Sequence, residues 1–317
     1  MQKLQLRDAQ QAALGFLVSQ TSHIERQVWE KKYPDITYPE FVPVDNSAHP
    51  WATSITYYST DKVGKMERLH HRGRDFPKVD LSREKHEEPI VMHGIGYDYD
   101  LEEINQAQML GINLTADKAM AARRAYEEGV EEIAFTGDAK VGRTGLINNA
   151  SVSAAEVADP DDVGVNTTWE TKTAEHILTD VDAALTGIWI NSNTVEMADT
   201  VLLPLASLAL INRRRIDPTS DITILSWIKK NNTYTMTTGK ELKVKGLRQL
   251  ATAGNGGTKR MVAYRRDPEV LKLHIPMPLQ FLAPQGPYGL TYEVPGMCRI
   301  GYVDIRRPGG VRYSDNI

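Results

Sequence analysis

Leu6, Ala9, Ala13, Phe16, Leu17, Ile24 and Val28 recur at steps near three and four, which predicts an amphipathic helix over 6–31. Pro34 stops it. From 33 to 51 the pattern changes. Pro34, Pro39, Pro43 and Pro50 each remove a backbone donor and bias the preceding residue toward an extended shape. Tyr33, Ile36, Tyr38, Phe41, Val42, Val44 and Trp51 stand among them. An extended segment this apolar needs another surface, either the core of its own chain or a neighbouring subunit.

Residues 52–93 read as a long charged hairpin. Ser54-Ile55-Thr56-Tyr57-Tyr58 is strand-like, and Asp61-Lys62-Val63-Gly64-Lys65 reads as a turn. Between 61 and 88, Lys62, Lys65, Arg68, Arg72, Arg74, Lys78, Arg83 and Lys85 are interspersed with Asp61, Glu67, Asp75, Asp80, Glu84, Glu87 and Glu88. So few apolar anchors make a poor core. The stretch suits a projecting loop that meets complementary charge elsewhere, or a solvated one.

Helical spacing is strongest over 98–130. Asp98 or Asp100 caps the start, Gly111-Ile112-Asn113 interrupts, Thr115 caps a second segment over 116–128, and Gly129 is expected to close it. A further helix is expected over 171–193, with Ile177, Val181, Ala184, Leu185, Ile188 and Trp189 on one face. Val201-Leu202-Leu203 reads as a buried strand, and Pro204 opens a helix that runs through Ile211. Ser220 or Asp221 is expected to cap another helix that ends at Lys230. Beyond it, strands are expected over 242–250, 260–264, 270–281, 291–294 and 297–306. The alternation over 160–265 suggests one lobe; the rod at 101–128 and the last fifty residues suggest another.

Composition narrows the class. A chain of 317 residues is long for one core. Lys and Arg total 37 against 41 Asp and Glu, a formal net charge of −4, so no basic excess argues for wrapping nucleic acid. The single Cys298 excludes an intrachain disulfide and a cysteine-rich metal site. Residues 1–12 lack the apolar core of a signal peptide, and the apolar stretch at 201–211 is far short of the roughly 20 residues of a membrane helix. A soluble protein of a reducing compartment, with no membrane partner, is expected.

Candidate chemistry is sparse. Gly137 to Thr144 has phosphate-loop spacing, but Arg143 stands where lysine belongs and no helix is expected to follow, so a turn-rich connector fits better. His70, His71, His86 and His93 lack zinc-protease spacing. No serine sits in a Gly-x-Ser-x-Gly turn. Cys298, in an expected strand, reads as a small core residue. Asp159, Asp161 and Asp162 read as a solvated turn, and Arg213-Arg214-Arg215 as the basic end of a helix. No catalytic residue, cofactor or metal is assigned. A cytosolic enzyme built on the 160–265 lobe would need a convergent polar constellation, and the sequence offers none.

The order of motifs carries a resemblance. It runs Phe41-Val42-Pro43-Val44, Asp61-Lys62-Val63-Gly64-Lys65, Asp75-Phe76-Pro77-Lys78-Val79-Asp80, the paired helices, Phe135-Thr136-Gly137-Asp138 and Gly145-Leu146-Ile147-Asn148. Tyr292-Glu293-Val294-Pro295 and Arg299-Ile300-Gly301-Tyr302-Val303 follow near the end. Taken together these resemble the major capsid proteins of tailed phages, whose α+β fold is the Hong Kong 97 type shared with encapsulins. The resemblance implies an N-terminal arm (1–50), an extended loop (51–93), a peripheral domain with a spine helix (94–150 and 269–317) and an axial domain (151–268). It also implies self-assembly into pentamers and hexamers of an icosahedral head around double-stranded DNA, formed in the bacterial host cytoplasm. Expected partners are further copies of the chain, a portal protein, and separate scaffolding or decoration proteins. Met1 begins almost at the arm, so a scaffold is expected as a separate chain. An encapsulin-like shell around cargo enzymes is the alternative.

Candidate inter-subunit contacts are Phe41, Trp51, Lys62, Lys65, Arg72 and Arg74; candidate hinges are Gly94, Gly96, Gly137, Gly142 and Gly145. Some relatives join subunits through a lysine–asparagine bond. Lys62 or Lys65 stands where the loop lysine would be, but no partner asparagine is placed, and the bond is not carried over.

Overall fold

The computed structural model describes residues 33–66, 68, 78–110, 114–158 and 168–317. The helix expected over 6–31, together with Arg72, Arg74, Asp159, Asp161 and Asp162, lies outside them.

In chain order the elements begin with a short helix α1 (Tyr38–Phe41) and strand β1 (Val44–Asp45). Two ten-residue strands follow, β2 (Ser54–Val63) and β3 (Asp80–Pro89), then β4 (Val91–Gly94) and β5 (Tyr97–Asp100). Next come helices α2 (Leu101–Leu110) and α3 (Leu114–Phe135), and strands β6 (Gly137–Asp138), β7 (Arg143–Thr144) and β8 (Ser153–Glu156). The middle of the chain holds α4 (Ala174–Asn191), β9 (Thr200–Leu203), α5 (Leu205–Arg213), α6 (Ile224–Lys230), α7 (Thr233–Thr238), β10 (Lys243–Gly246) and β11 (Arg260–Tyr264). The rest is strand: β12 (Leu271–His274), β13 (Met277–Phe281), β14 (Gln285–Tyr288), β15 (Thr291–Val294), β16 (Gly296–Ile300), β17 (Val303–Ile305) and β18 (Val311–Asp315).

A five-stranded sheet of order β10-β9-β11-β18-β8 sits between two cores. Val201 and Leu203 of β9, with Met261 and Ala263 of β11, face one core, which holds Ile177, Val181, Leu185 and Ile188 of α4 and Trp169. Leu202, Val262, Tyr264 and Tyr313 point the other way, into a core with Phe41, Val130, Phe135 and Leu273. Because both faces are covered, β9 and β11 are buried at every position, and 201–203 reads as a continuous apolar run. β18 lies between β11 and β8, so the end of the chain pairs with strands from 151–268.

Several expected boundaries move. Helix α3 passes through Gly129 and ends at Phe135, because Val130, Ala134 and Phe135 extend the buried stripe by one more turn. Thr223, not Ser220 or Asp221, caps α6: its side chain accepts from the Ser226 amide. The strand expected over 242–250 stops at Gly246 and continues as a 3-10 turn at Arg248–Ala251. The strand over 270–281 breaks at Ile275-Pro276, and that over 297–306 at Gly301-Tyr302. Asp61, Lys62 and Val63 are paired in β2 rather than forming a turn.

Candidate assembly surfaces

The segment 36–45 covers its own chain. The Thr37 amide donates to Glu131 Oε2 (2.8 Å) and the Tyr38 hydroxyl to Glu127 Oε2 (2.9 Å), both on α3. Tyr264 Oη donates to the Phe41 carbonyl oxygen (2.9 Å), and β1 pairs in parallel with β12. Phe41 is only 3% exposed, with its ring 6.1 Å from that of Phe135. Phe41 is therefore a core residue of its own chain, and the inter-subunit contact expected from it is withdrawn. Of the apolar run, Ile36, Tyr38, Phe41 and Val42 found their partner intramolecularly.

Trp51 is different. It is 59% exposed, and the Arg299 guanidinium lies 5.9 Å from its ring centroid.

β2 and β3 form a regular antiparallel hairpin, from the Ser54–Pro89 pair to the Val63–Asp80 pair. Neighbouring side chains on a strand alternate between faces, and directly paired residues share a face. Register therefore sorts the charges. Tyr58, Lys62, Arg83 and Lys85 share one face, near Glu87, which Lys85 contacts at 3.1 Å. Asp61, Asp80, Glu84 and Glu88 share the other, with Tyr57 and His86. Signs that are mixed along the sequence are separated by face in the fold, and only the pairing register reveals it.

The acidic face rests at its base on basic groups of the same chain. The Tyr57 ring stacks on His86 (centroids 4.9 Å apart), and the Arg306 guanidinium lies 4.2 Å from the Tyr57 ring centroid. Tyr57 Oη donates to Asp304 Oδ1 (3.3 Å), and Arg143 Nη1 to Glu88 Oε2 (3.2 Å). Burial, then the neighbouring Asp304 carboxylate, pushes the Tyr57 phenol up to about 12, while burial pushes Glu88 above the usual carboxylate range. Further out the hairpin is exposed on both faces, including Lys62 and Lys65 and the apolar side chains of Val63, Met66, Val79 and Leu81.

Two of the candidate glycines stand where a side chain would clash. Gly137 has φ +76°, and a Cβ there would lie 2.3 Å from the Arg143 carbonyl oxygen; a Cβ on Gly145 would lie 2.4 Å from the Phe135 backbone. Their close approach pairs β6 with β7 into a tight connector. No helix follows it, so the phosphate-loop spacing does not build a phosphate cradle. Gly94 ends β4, Gly96 lies against the Val294 carbonyl, and Gly142 is left-handed in open space.

Sequence reading missed a cavity of about 690 Å³ lined by Leu178, Leu185, Trp227, Ile228 and Met236 between α4, α6 and α7. Cys298 is buried in β16 and its thiol is pushed up to about 11 by that burial, which suits a core residue. Among the described residues no cluster of metal-ligating side chains is present, and no helix is long and apolar enough to cross a membrane.

A sequence-family model described as "Major capsid protein" matches residues 64–317. This chain belongs to the major capsid protein family. The capsid protein's fold is similar to "The capsid of Myoviridae Phage XM1", with a TM-score of 0.79 at 18% identity over 94% of this chain and 98% of that one. It is also similar to a structure described as "Microbacterium phage Oxtober96", with a TM-score of 0.62 at 10% identity, covering 94% and 96% of the two chains. A third likeness is to the "Capsid of native GTA particle", with a TM-score of 0.60 at 9% identity, covering 93% and 94%. No curated protein matches the sequence. The Hong Kong 97-like fold expected from the motif order is therefore present. The capsid protein builds a phage head shell from many copies of itself and is a structural protein of the virion. An encapsulin-like compartment is not favoured.

Proposed function

We propose that this capsid protein forms pentamers and hexamers that close into an icosahedral head around double-stranded DNA. In this reading residues 1–50 are the arm, 51–93 the loop that lies over a neighbour, 94–150 with 269–317 the peripheral domain, and 151–268 the axial domain, whose sheet the last strand completes. The observation that carries it is the hairpin: ten residue pairs long, exposed beyond its base, with a basic and an acidic face. Such an element gains little within its own chain and fixes the register of a charged contact with another copy. Trp51, Lys62 and Lys65 belong to that contact, with Arg72 and Arg74 further along the loop.

The near-neutral balance keeps the shell from gripping its DNA during filling. Assembly takes place in the host cytoplasm, with a portal protein at one vertex and separate scaffolding or decoration proteins. Gly94, Gly96, Gly137, Gly142 and Gly145 lie where domains would flex between five-fold and six-fold rings. No catalytic step is part of this role.

The test is cryo-electron microscopy of particles from infected or expressing cells, combined with nuclease treatment. Rings of five and six copies around nuclease-protected DNA support the reading; shells that hold only protein, or open sheets, overturn it.

A further inference from the structure

The five-stranded sheet ends in two short strands, β8 and β10, and among the described residues neither is paired along its outer side. Each lies parallel to its inner neighbour, β8 to β18 and β10 to β9. β9 and β18 are both antiparallel to β11, so β8 and β10 run the same way on opposite edges. All four residues of β8 are exposed, as are Lys243 and Lys245 of β10. A cavity of about 470 Å³ opens beside β8, lined by Ala154, Ala155, Glu156, Gly254, Arg260 and Asp315.

Register fixes which backbone groups face outward. Along a parallel strand, alternate residues turn both amide and carbonyl toward the same neighbour. The Lys243 and Leu247 amides donate to the Asp199 and Leu203 carbonyls, so Val244 and Gly246 turn outward. The Val157 amide donates to the Asp315 carbonyl, so Ala154 and Glu156 turn outward. Among the described residues none of these four amides has a hydrogen-bond partner. Side-chain faces are fixed as well. Val244 points into the core that holds Trp169, which puts Lys243 and Lys245 on the other face. Tyr313, in the opposite core, is paired with Ala154, and Asp315 with Glu156, so Ala154 and Glu156 share the face of the two lysines.

We propose that β10 of one copy pairs in parallel with β8 of the next, Val244 opposite Ala155 and Lys245 opposite Glu156, joining the sheets of neighbouring subunits within a ring. The pairing rests on the proposed rings of copies. A head-to-tail ring uses two different patches, and rotation about an axis along the strands preserves their direction, so the two edges meet as a parallel pair at every junction. In this register the outward groups interlock. The Val244 amide donates to the Ala154 carbonyl, the Glu156 amide to the Val244 carbonyl and the Gly246 amide to the Glu156 carbonyl. Lys245 meets Glu156 on one face, and a one-residue slip would put them on opposite faces. Lys245 also holds the exposed Glu40 at 2.7 Å, a surface pair that contributes little and can exchange. Like charge opposes pairing of β10 with itself, which leaves the acidic edge as its partner.

Cysteine pairing on the full-length chain tests this. Lys243→Cys with Ala154→Cys places two thiols opposite each other on strands about 4.8 Å apart, within disulfide reach, and leaves Lys245 and Glu156 intact. The native Cys298 is buried. Assembled particles, checked by electron microscopy, are oxidised mildly and run on a denaturing gel without reductant. The expected result is a ladder of linked chains that ends at five and six, with each single variant remaining monomeric. Lys243→Cys with Ser153→Cys, whose thiols lie on opposite faces, should link about tenfold less or worse. Shells that form without the ladder overturn the pairing and leave the rings standing, whereas a wild-type chain that forms no rings overturns both. A ladder from either single variant overturns the pairing as well. If the variants do not assemble, hydrogen exchange on the wild-type chain decides: the Glu156 and Gly246 amides should exchange about tenfold more slowly in particles than in free subunits. Equal exchange in the two states overturns the pairing.

Discussion

Arg260 and Asp315 are paired residues on adjacent strands, and their side chains meet in a two-pronged contact, Nε to Oδ1 at 2.6 Å and Nη2 to Oδ2 at 2.7 Å. Arg260 Nη1 also donates to the Ile147 carbonyl (2.6 Å), and its guanidinium lies 4.5 Å from the Tyr313 ring centroid. One side chain thus joins β11, β18 and the segment after β7. Removing one partner leaves a buried charge with no counterpart, at a cost of about 3–5 kcal/mol. Asp315→Ala should lower the denaturant midpoint of the unassembled subunit by a corresponding amount. A midpoint within error of wild type contradicts the role.

Phe41→Ala and Trp51→Ala should separate folding from assembly, although ten residues part them. Phe41 fills the core against Phe135, so its truncation should cost roughly 3–5 kcal/mol of subunit stability. Trp51 is exposed, so its loss should change subunit stability by no more than about 0.5 kcal/mol. In the shell it should raise the concentration needed for assembly, as loss of an aromatic anchor does. Denaturation of subunits and light scattering of assembly reactions read the two effects. Equal loss of fold and shell from Trp51→Ala counts against its place in a contact.

These two aromatics also mark what the sequence made legible. The apolar run at 36–44 was visible, and so was its need for a surface, but not which surface. That depended on α3 presenting Glu127 and Glu131 at the right height and on Tyr264 reaching the Phe41 carbonyl. The helix through 174–191 was readable because its buried positions recur at helical spacing, and the strand over 260–264 because it is a short, continuously buried run. β18 was not, because its partners lie some 50 and 160 residues away and its own polar ends, Arg312 and Asp315, mask the strand. The charge-sorted hairpin faces were hidden for the same reason: alternation is local, but pairing register is not.

Charge reversal should distinguish the two hairpin faces. Lys62→Glu with Arg83→Glu alters the basic face, whose outer half is exposed among the described residues. Subunit stability should stay within about 0.5 kcal/mol, while assembly weakens and its salt dependence changes. Glu84→Lys on the opposite face should give an effect of different size. Salt-independent assembly in all of these variants contradicts a charged contact.

Acid should loosen the three-stranded sheet of β1, β12 and β17. Burial works against ionisation of Asp45, but Lys272 and Ser47 bond its carboxylate and hold it well below the usual range. Burial likewise opposes Asp304, and the His274 ring and Arg306 guanidinium outweigh it and lower its pKa. A carboxyl depressed in the folded state contributes stability above its unfolded value, about 3.9, and loses it as pH falls through the folded value. Stability should therefore drop below about pH 4. Asp45→Asn should make that drop shallower in denaturation curves taken between pH 5 and 2. An unchanged slope contradicts the assignment.

The most direct measurement is sedimentation velocity of the purified full-length chain across a range of concentrations, with electron microscopy of the fastest fraction. Closed particles in equilibrium with small rings, lost when Trp51 and the basic hairpin face are altered together, are the expected result. A concentration-independent monomer, or particles that form equally well with the altered hairpin, contradicts a shell held together through this element.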